Sequence, residues 1–381
     1  MDTMTPSPPI SARVDDPTNA AILAVSEDRI QGFQTDPLGK IAKLAEVPVG
    51  DVIARIQAML RAGTIRRVRQ TLLATSLAQG ALVAWEVSAD KVDAGFEYLF
   101  NDDPFSGHVV VRSTDRETPG SQFRLWTTLK VPQGFSLGRH AEYLRMQIGA
   151  SQFRLMPAKR LFALGVGHVR RQNLPIGSKS DELAEVLDTT LVELSPLEWR
   201  VVTALKREFE PEELVRDLWA ARADEAGVDR ETFYQVAQSL SGRKIIGRFS
   251  TFLEHVKATA GNVRVTRYNA LFHWRVPAGR EIAAGREVGR FHIMTHAYWR
   301  EGGPDFAGVN IMGVAHGQEK SVLLAHKAAM DEHLASVGIP VSYTNVFWGG
   351  RSEIKPSEIS PVVYEQFCRA RGMDPHAMRV E

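Results

Sequence analysis

Two histidine–arginine pairs carry the clearest chemical signal in the chain. His108 and Arg112 are four residues apart, and so are His296 and Arg300. Each pair lies in a run rich in β-branched or aromatic residues, Gly107-His108-Val109-Val110-Val111-Arg112 and Thr295-His296-Ala297-Tyr298-Trp299-Arg300. In a strand, side chains alternate with period two, so each histidine and its arginine share one face and can reach one pocket. An imidazole with an ordinary pKa of about 6.5 can donate or accept a proton near neutral pH. A guanidinium beside it can hold a carboxylate in a charge-assisted pair. The bland alternative is a satisfied core histidine. The repetition of the spacing weighs against it.

The repetition extends to the elements that must position these residues. Ala81-Leu82-Val83-Ala84-Trp85-Glu86-Val87 stands beside Ala270-Leu271-Phe272-His273-Trp274-Arg275-Val276, with four of the seven residues identical. Phe123–Thr128 aligns with Val309–Val314, and Leu60–Ile65 with Leu240–Ile245. Slowly drifting offsets are what small loop insertions in a duplicated unit produce. Each repeat opens with helices and a basic strand. In the first, Asp51–Ala62 has apolar residues at helical spacing, Gly63 stops it, and Thr64–Arg69 follows as a wing. In the second, 194–197 starts a helix, 212–223 and 230–240 read as two more, and 242–249 as the wing. This is a winged helix-turn-helix pattern. Strand, helix, strand, strand and helix follow in both repeats, the ferredoxin-like order.

The fold class expected is therefore α+β, a tandem duplication of a winged helix-turn-helix followed by a ferredoxin-like (βαββαβ-type) domain. The boundaries read as a disordered tail at 1–17, winged helices at 18–72 and 191–252, and ferredoxin-like domains at 73–171 and 253–350. A linker at 172–190 and a C-terminal extension at 351–381 complete the chain. The duplication makes the chain an internal pseudo-dimer, with room for further homo-oligomerisation.

Composition narrows the class. The chain has 381 residues, with 46 Lys+Arg against 45 Asp+Glu, so it is neither a basic nucleic-acid coat nor an acidic solvating chain. Its one cysteine, Cys368, excludes an intrachain disulfide and a cysteine-based zinc or iron–sulfur site. No apolar run approaches the ~18 residues of a membrane span, and no signal-peptide pattern opens the chain. A cytoplasmic protein without membrane partners is expected. No metal-ligand spacing, Walker loop or strand-linked G-x-G-x-x-G is present, and Gly165–Arg171 lacks the context of a phosphate loop.

These motifs resemble those of the siroheme decarboxylase family, within the wider Lrp/AsnC-like group of winged-helix plus ferredoxin-like proteins. The strand 295–300, the connection 301–307 and the strand 309–317 resemble the family's T-H-x-Y-x-R, loop and Y-N-L-W-x-T-L pattern. Segments 107–112 and 123–129 match it less fully, and Gly63-Thr64-Ile65-Arg66-Arg67 resembles its G-x-I-R-R. The family's H-R-K-L-G-like basic motif has no counterpart in 71–80. In 252–269, His255, Arg264 and Arg267 stand in. The tail 341–361 lies outside the pattern.

The resemblance implies a carboxy-lyase of haem or haem d1 type biosynthesis that removes acetate carboxyls from a carboxylated, iron-containing tetrapyrrole. His108 and His296 would be its catalytic residues. Arg66, Arg67, Arg69, Arg112, Arg124, Arg264, Arg267 and Arg300 would bind the substrate, with Trp126, Tyr298 and Asn310, and Arg248 is a further candidate. No metal ligands and no separate cofactor are implied, because the macrocycle takes up charge itself. Trp85, Trp274 and Trp299 could also stack on the ring, although Trp85 and Trp274 read more naturally as core. The alternatives are an Lrp/AsnC-type transcriptional regulator that binds DNA and senses a small molecule, and a non-catalytic tetrapyrrole-binding protein. The wing arginines fit DNA phosphate equally well. The candidate reading helix at 50–59, however, has Asp51 at its start and offers only Arg55 and Gln57 as polar readers, whereas the second candidate, at 230–239, is the more plausible reader.

Overall fold

The computed structural model describes residues 10–380, apart from 74–75, 166, 170, 172, 189–190, 255–256 and 264. The first repeat begins α1 (Pro17–Ser26), β1 (Ile30–Gln31), α2 (Pro37–Ala45), α3 (Val49–Arg61) and β2 (Ile65–Leu72). It continues β3 (Ala78–Glu86), α4 (Val92–Glu97), β4 (Ser106–Ser113), β5 (Phe123–Pro132), α5 (Leu137–Ile148) and β6 (Gln152–Leu164). The second repeat runs α6 (Pro196–Lys206), α7 (Ala220–Ala226), α8 (Arg230–Gly242) and β7 (Ile246–Leu253). Next come β8 (Tyr268–Arg275), α9 (Glu281–Gly289), β9 (Met294–Arg300), β10 (Ile311–Gly317), α10 (Lys320–Ser336) and β11 (Tyr343–Ile354), and α11 (Pro361–Ala370) closes the chain.

Contacts divide this α+β chain crosswise rather than along the sequence. One unit comprises the described residues of 1–73, 166–172 and 194–267. The other comprises those of 74–165, 173–193 and 268–381.

In the first unit the helix starts are chemically marked. Asp36 accepts from the Gly39 amide ahead of α2, Ser195 and Glu198 form a capping box on α6, and Asp229 caps α8. The two basic strands β2 and β7 pair antiparallel with each other, and β1 adds to β7. The aromatic core packs Trp219 against Phe33, Phe209, Phe233 and Phe249.

Two expectations are corrected here. Residues 1–9 of the expected tail lie outside the described residues, but 11–16 are ordered: Asn19 donates to the Ser11 and Arg13 carbonyls, and Thr64 to that of Ala12. The Pro/Ser/Asp composition concealed an Asp16-Pro17 helix start, and α1 follows it. The helix expected over 212–223 begins only at Ala220, after a short turn at Pro211–Glu213.

The second unit holds an eight-stranded closed barrel in the order β10-β8-β11-β4-β5-β3-β6-β9. The last strand of each repeat closes it. β6 pairs with β3 of its own repeat and β9 of the other, while β11 pairs with β8 and β4. The barrel is thus pseudo-twofold, and residues at the repeat offset occupy matching register positions. A further correction follows: segment 341–361 lies outside the family pattern in sequence, yet β11 is the second repeat's closing strand and continues to Ile354, past the expected domain end. The residues expected as a linker also have structure, with bridges from Lys179 to Phe291 and from Leu187 to Leu161.

Eight strands leave an interior just wide enough for side chains to fill. That core contains Ala84, Val110, Trp126, Leu271, Met312 and Phe347. Two outer cores lie under the helices. Trp85 anchors one, and its repeat partner Trp274 the other, so both tryptophans are core as the sequence favoured. α11 seals the first outer core with Tyr364 and Cys368.

Candidate functional site

The alternation of β4 and β9 places both histidine–arginine pairs on the barrel's inner phase. Between each pair lies another inner residue, Val110 in β4 and Tyr298 in β9. Val110 belongs to the interior core, and Tyr298 pairs with the interior residue Met312. Because neighbouring strands are antiparallel and β4 and β9 stand four places apart in the barrel order, they run in the same direction on opposite sides. His108 pairs with Thr128 and Ile354; His296 pairs with Val314 and Leu164. These are equivalent places.

Both histidines are half-buried and both arginines buried. Arg112 Nη1 lies 3.4 Å from Asn269 Oδ1 and 3.4 Å from the Phe347 carbonyl, with its guanidinium over Trp126 at 5.9 Å. Arg300 donates to the Met156 carbonyl and lies 4.4 Å from the Tyr298 ring centre. Phe347 and Met156 are repeat partners, since Phe347 pairs with Leu271 and Met156 with Leu82. Neither arginine forms an ion pair among the described residues, and the Nε of each has no hydrogen-bond partner. Burial alone pushes Arg112 down to about 9, and burial likewise lowers Arg300 against the opposing influence of Tyr298. The interior therefore holds two cations that lack counter-charges, the electrostatic condition for taking up carboxylates.

The histidines differ in their partners. His108 Nε2 lies 2.8 Å from Ser352 Oγ on β11. His296 Nδ1 lies 3.2 Å from Thr295 Oγ1, and its ring stacks on Tyr298 at 6.0 Å and 11°. His316 Nδ1 approaches the same threonine oxygen at 3.4 Å.

The other expected site residues are dispersed. Trp126 is fully buried, donates to the Phe123 carbonyl at 2.7 Å and packs on Phe306 and Phe347, so it fills the barrel. Asn310 clamps both polar groups of the Val276 backbone and reaches Glu281. Arg124 and Arg267 are exposed, and Trp299 bonds Glu301. Arg264 and His255 lie outside the described residues. In the first unit, Arg66 and Arg67 approach Glu254 and Glu208 at 3.8 and 3.3 Å. Arg69 lies over Phe252 at 5.2 Å, pushed down to about 10 by burial and then by Arg67. Arg248 donates to the Glu27 carbonyl.

Sequence reasoning passed over three residues of the interior. His273 is fully buried, with Asn345 beside it but no well-directed hydrogen bond to either ring nitrogen. Burial, then Arg112, pushes it down to about 3. Its repeat partner is Ala84, a contrast visible in the aligned strands. Thr295 and Asn269 were also passed over; the positions one before the paired histidines, and one before the Ala81 and Ala270 strands, would have flagged them.

Away from the histidines, a cavity of about 310 Å³ is lined by Asp115, Arg116, Thr118, Lys327, Asp331 and Asn345, at the small end of the ligand-site range. Among the described residues, no cluster of His, Cys, Asp and Glu could hold a metal ion, and no helix is long and apolar enough to cross a membrane.

Comparison with known proteins accords with this architecture. Residues 77–163 match the family model of the AsnC-like ligand binding domain, which spans β3 to β6. The crystal structure of the siroheme decarboxylase NirDL superposes with a TM-score of 0.64 at 16% identity, covering 94% of this chain and 100% of that one. The same enzyme in co-complex with an iron-uroporphyrin III analogue gives 0.63 at 17% identity, covering 93% and 99%. At that identity the likeness establishes the fold. No curated protein matches in sequence.

Proposed function

We propose that the chain is a siroheme decarboxylase-like carboxy-lyase. It removes acetate carboxyls from a carboxylated, iron-containing tetrapyrrole in haem or haem d1 type biosynthesis. One observation carries this reading: a buried, counter-charge-free arginine stands four residues from a half-buried histidine on each of two twofold-related barrel strands. The whole-chain likeness to a siroheme decarboxylase crystallised with an iron-uroporphyrin analogue supports it.

The chemistry balances with one proton. The acetate side chain R–CH2–COO⁻ takes up H⁺ and yields R–CH3 and CO2. The pair of electrons in the broken C–C bond stays with the macrocycle, whose conjugated ring is the electron sink, so no separate cofactor enters. An imidazolium supplies the proton. Arginines without internal counter-ions bind substrate carboxylates through charge-assisted hydrogen bonds, and exclusion of water strengthens these.

A DNA-reading role draws less support. In the first candidate reading helix Arg55 is tied to Asp16 and Asn19, Gln57 donates to the Leu214 carbonyl and Arg61 pairs with Glu212, and in the second Arg230 pairs with Asp217 and Gln235 donates to Glu231, so these side chains are already engaged. Anaerobic incubation with siroheme, followed by mass analysis of the tetrapyrrole, tests the proposal. Successive losses of the mass of CO2 are expected. Binding without mass loss would leave a tetrapyrrole carrier, and absence of both binding and loss would overturn the reading.

A further inference from the structure

The twofold barrel contains its own control experiment, because each residue near one histidine has a counterpart near the other. We propose that the barrel holds a single working proton-delivery centre, built on His296 with Thr295 and His316 as its positioning residues, and that the His108 centre is structural. This rests on the decarboxylase reading and deepens it.

Both centres have the same backbone irregularity. In β9, Val314 pairs with His296 and Ala315 with Met294, leaving Thr295 as the extra residue of a bulge. In β4, Thr128 pairs with His108 and Leu129 with Ser106, leaving Gly107 in the matching place. A bulge re-aims the side chain it carries. Only the second centre has a side chain there to aim.

The Thr295 hydroxyl has one proton, and it donates that proton to the Val314 carbonyl at 3.0 Å. Toward His296 and His316, at 3.2 and 3.4 Å, the oxygen can then act only as acceptor. Both rings must present Nδ1–H to it. One hydroxyl thus fixes two imidazoles in the same tautomer and directs their acid–base chemistry to Nε2. Ring orientation is also set by the stack of His296 on Tyr298. Arg112 reaches this side through Asn269, which pairs with His316 across β8 and β10.

The first centre lacks each of these parts. Gly107 stands for Thr295, Lys130 for His316, Gly80 for Asn269 and Val110 for Tyr298. The position is also closed. A Cβ at Gly107 would collide with Ser357 Oγ, and the Lys355 amide donates to the Gly107 carbonyl at 2.6 Å. His108 instead uses Nε2 on Ser352, and its amide donates to Thr128 Oγ1 at 2.9 Å. These contacts tie His108 to β11 and β5, and the Lys355 bond ties the segment after β11 to the barrel.

The test is siroheme turnover and siroheme binding by the full chain, under anaerobic conditions, across pH. Thr295→Ala should lower kcat about tenfold, the worth of one hydrogen bond, with binding retained and the pH profile shifted. Thr295→Ser should restore both rate and profile, and His316→Ala should also shift the profile. His296→Ala should cost about 100-fold more than His108→Ala. Ser352→Ala should turn over as the unaltered chain does. Equal losses at His108 and His296, or a Thr295→Ala profile that does not move, would overturn the single-centre assignment while leaving the decarboxylase reading in place. No turnover by the unaltered chain would overturn both.

Discussion

Protonating His273 should weaken the barrel by an amount the structure sets. The ring is fully buried beside Arg112, and its pKa falls from 6.5 to about 3. For a base held neutral in the fold, the stabilisation is complete above the unfolded pKa and is lost as pH falls toward the folded one. Across the whole interval, from 6.5 to about 3, the loss amounts to about 5 kcal/mol at 1.36 kcal/mol per pH unit. At about pH 4.5 the linkage relation gives about 3 kcal/mol relative to neutral pH. Replacing His273 by Ala, the residue its repeat partner Ala84 already supplies, leaves a cavity whose cost is independent of pH. The difference between the two proteins therefore isolates the proton. Urea denaturation at about pH 7.5 and pH 4.5 measures it, with the neighbouring Trp126, ring centres 6.3 Å apart, as a fluorescent reporter. The expected result is that His273→Ala loses about 3 kcal/mol less than the unaltered chain on acidification. Equal losses in both proteins would refute the claim that the barrel interior holds His273 neutral.

Other outcomes follow from the same geometry. Glu27 is buried, and burial pushes its pKa up from 4.5 to about 7 against the His168 and Val169 amides, so its stabilising neutral form is lost as pH rises through 7. Glu27→Gln should raise stability above neutral pH by up to ~3 kcal/mol and flatten that slope in thermal denaturation, which an unchanged slope would contradict. Arg112→Met removes a buried cation with no counter-charge, so the ligand-free chain should melt no lower, while siroheme affinity measured by absorbance should fall about 10–100-fold. Gly285→Ala would drive a Cβ into the Phe162 ring under α9 and should cost about 1–3 kcal/mol in urea denaturation.

The repeat and the histidine–arginine pairs were legible because they are local. Four of seven residues recur around Trp85 and Trp274, and a four-residue spacing on a strand fixes the face. Barrel closure was not legible, since the pairing of β11 with β4 joins residues more than 230 positions apart and leaves no mark on periodicity. The proposed difference between His108 and His296 rests on single substitutions, Gly107 against Thr295 and Lys130 against His316. Their meaning appears only when the bulges are superposed. Arg66 and Arg67 show the opposite limit: their basic spacing was plain, but the acidic partners Glu254 and Glu208 come from distant segments.

The stoichiometry of CO2 released per siroheme consumed, followed anaerobically with the full chain, decides whether the barrel decarboxylates its ligand. CO2 release in step with conversion of acetate side chains to methyl groups is expected, and its loss in His296→Ala. Siroheme that is bound yet releases no CO2 under these conditions would contradict the decarboxylase reading.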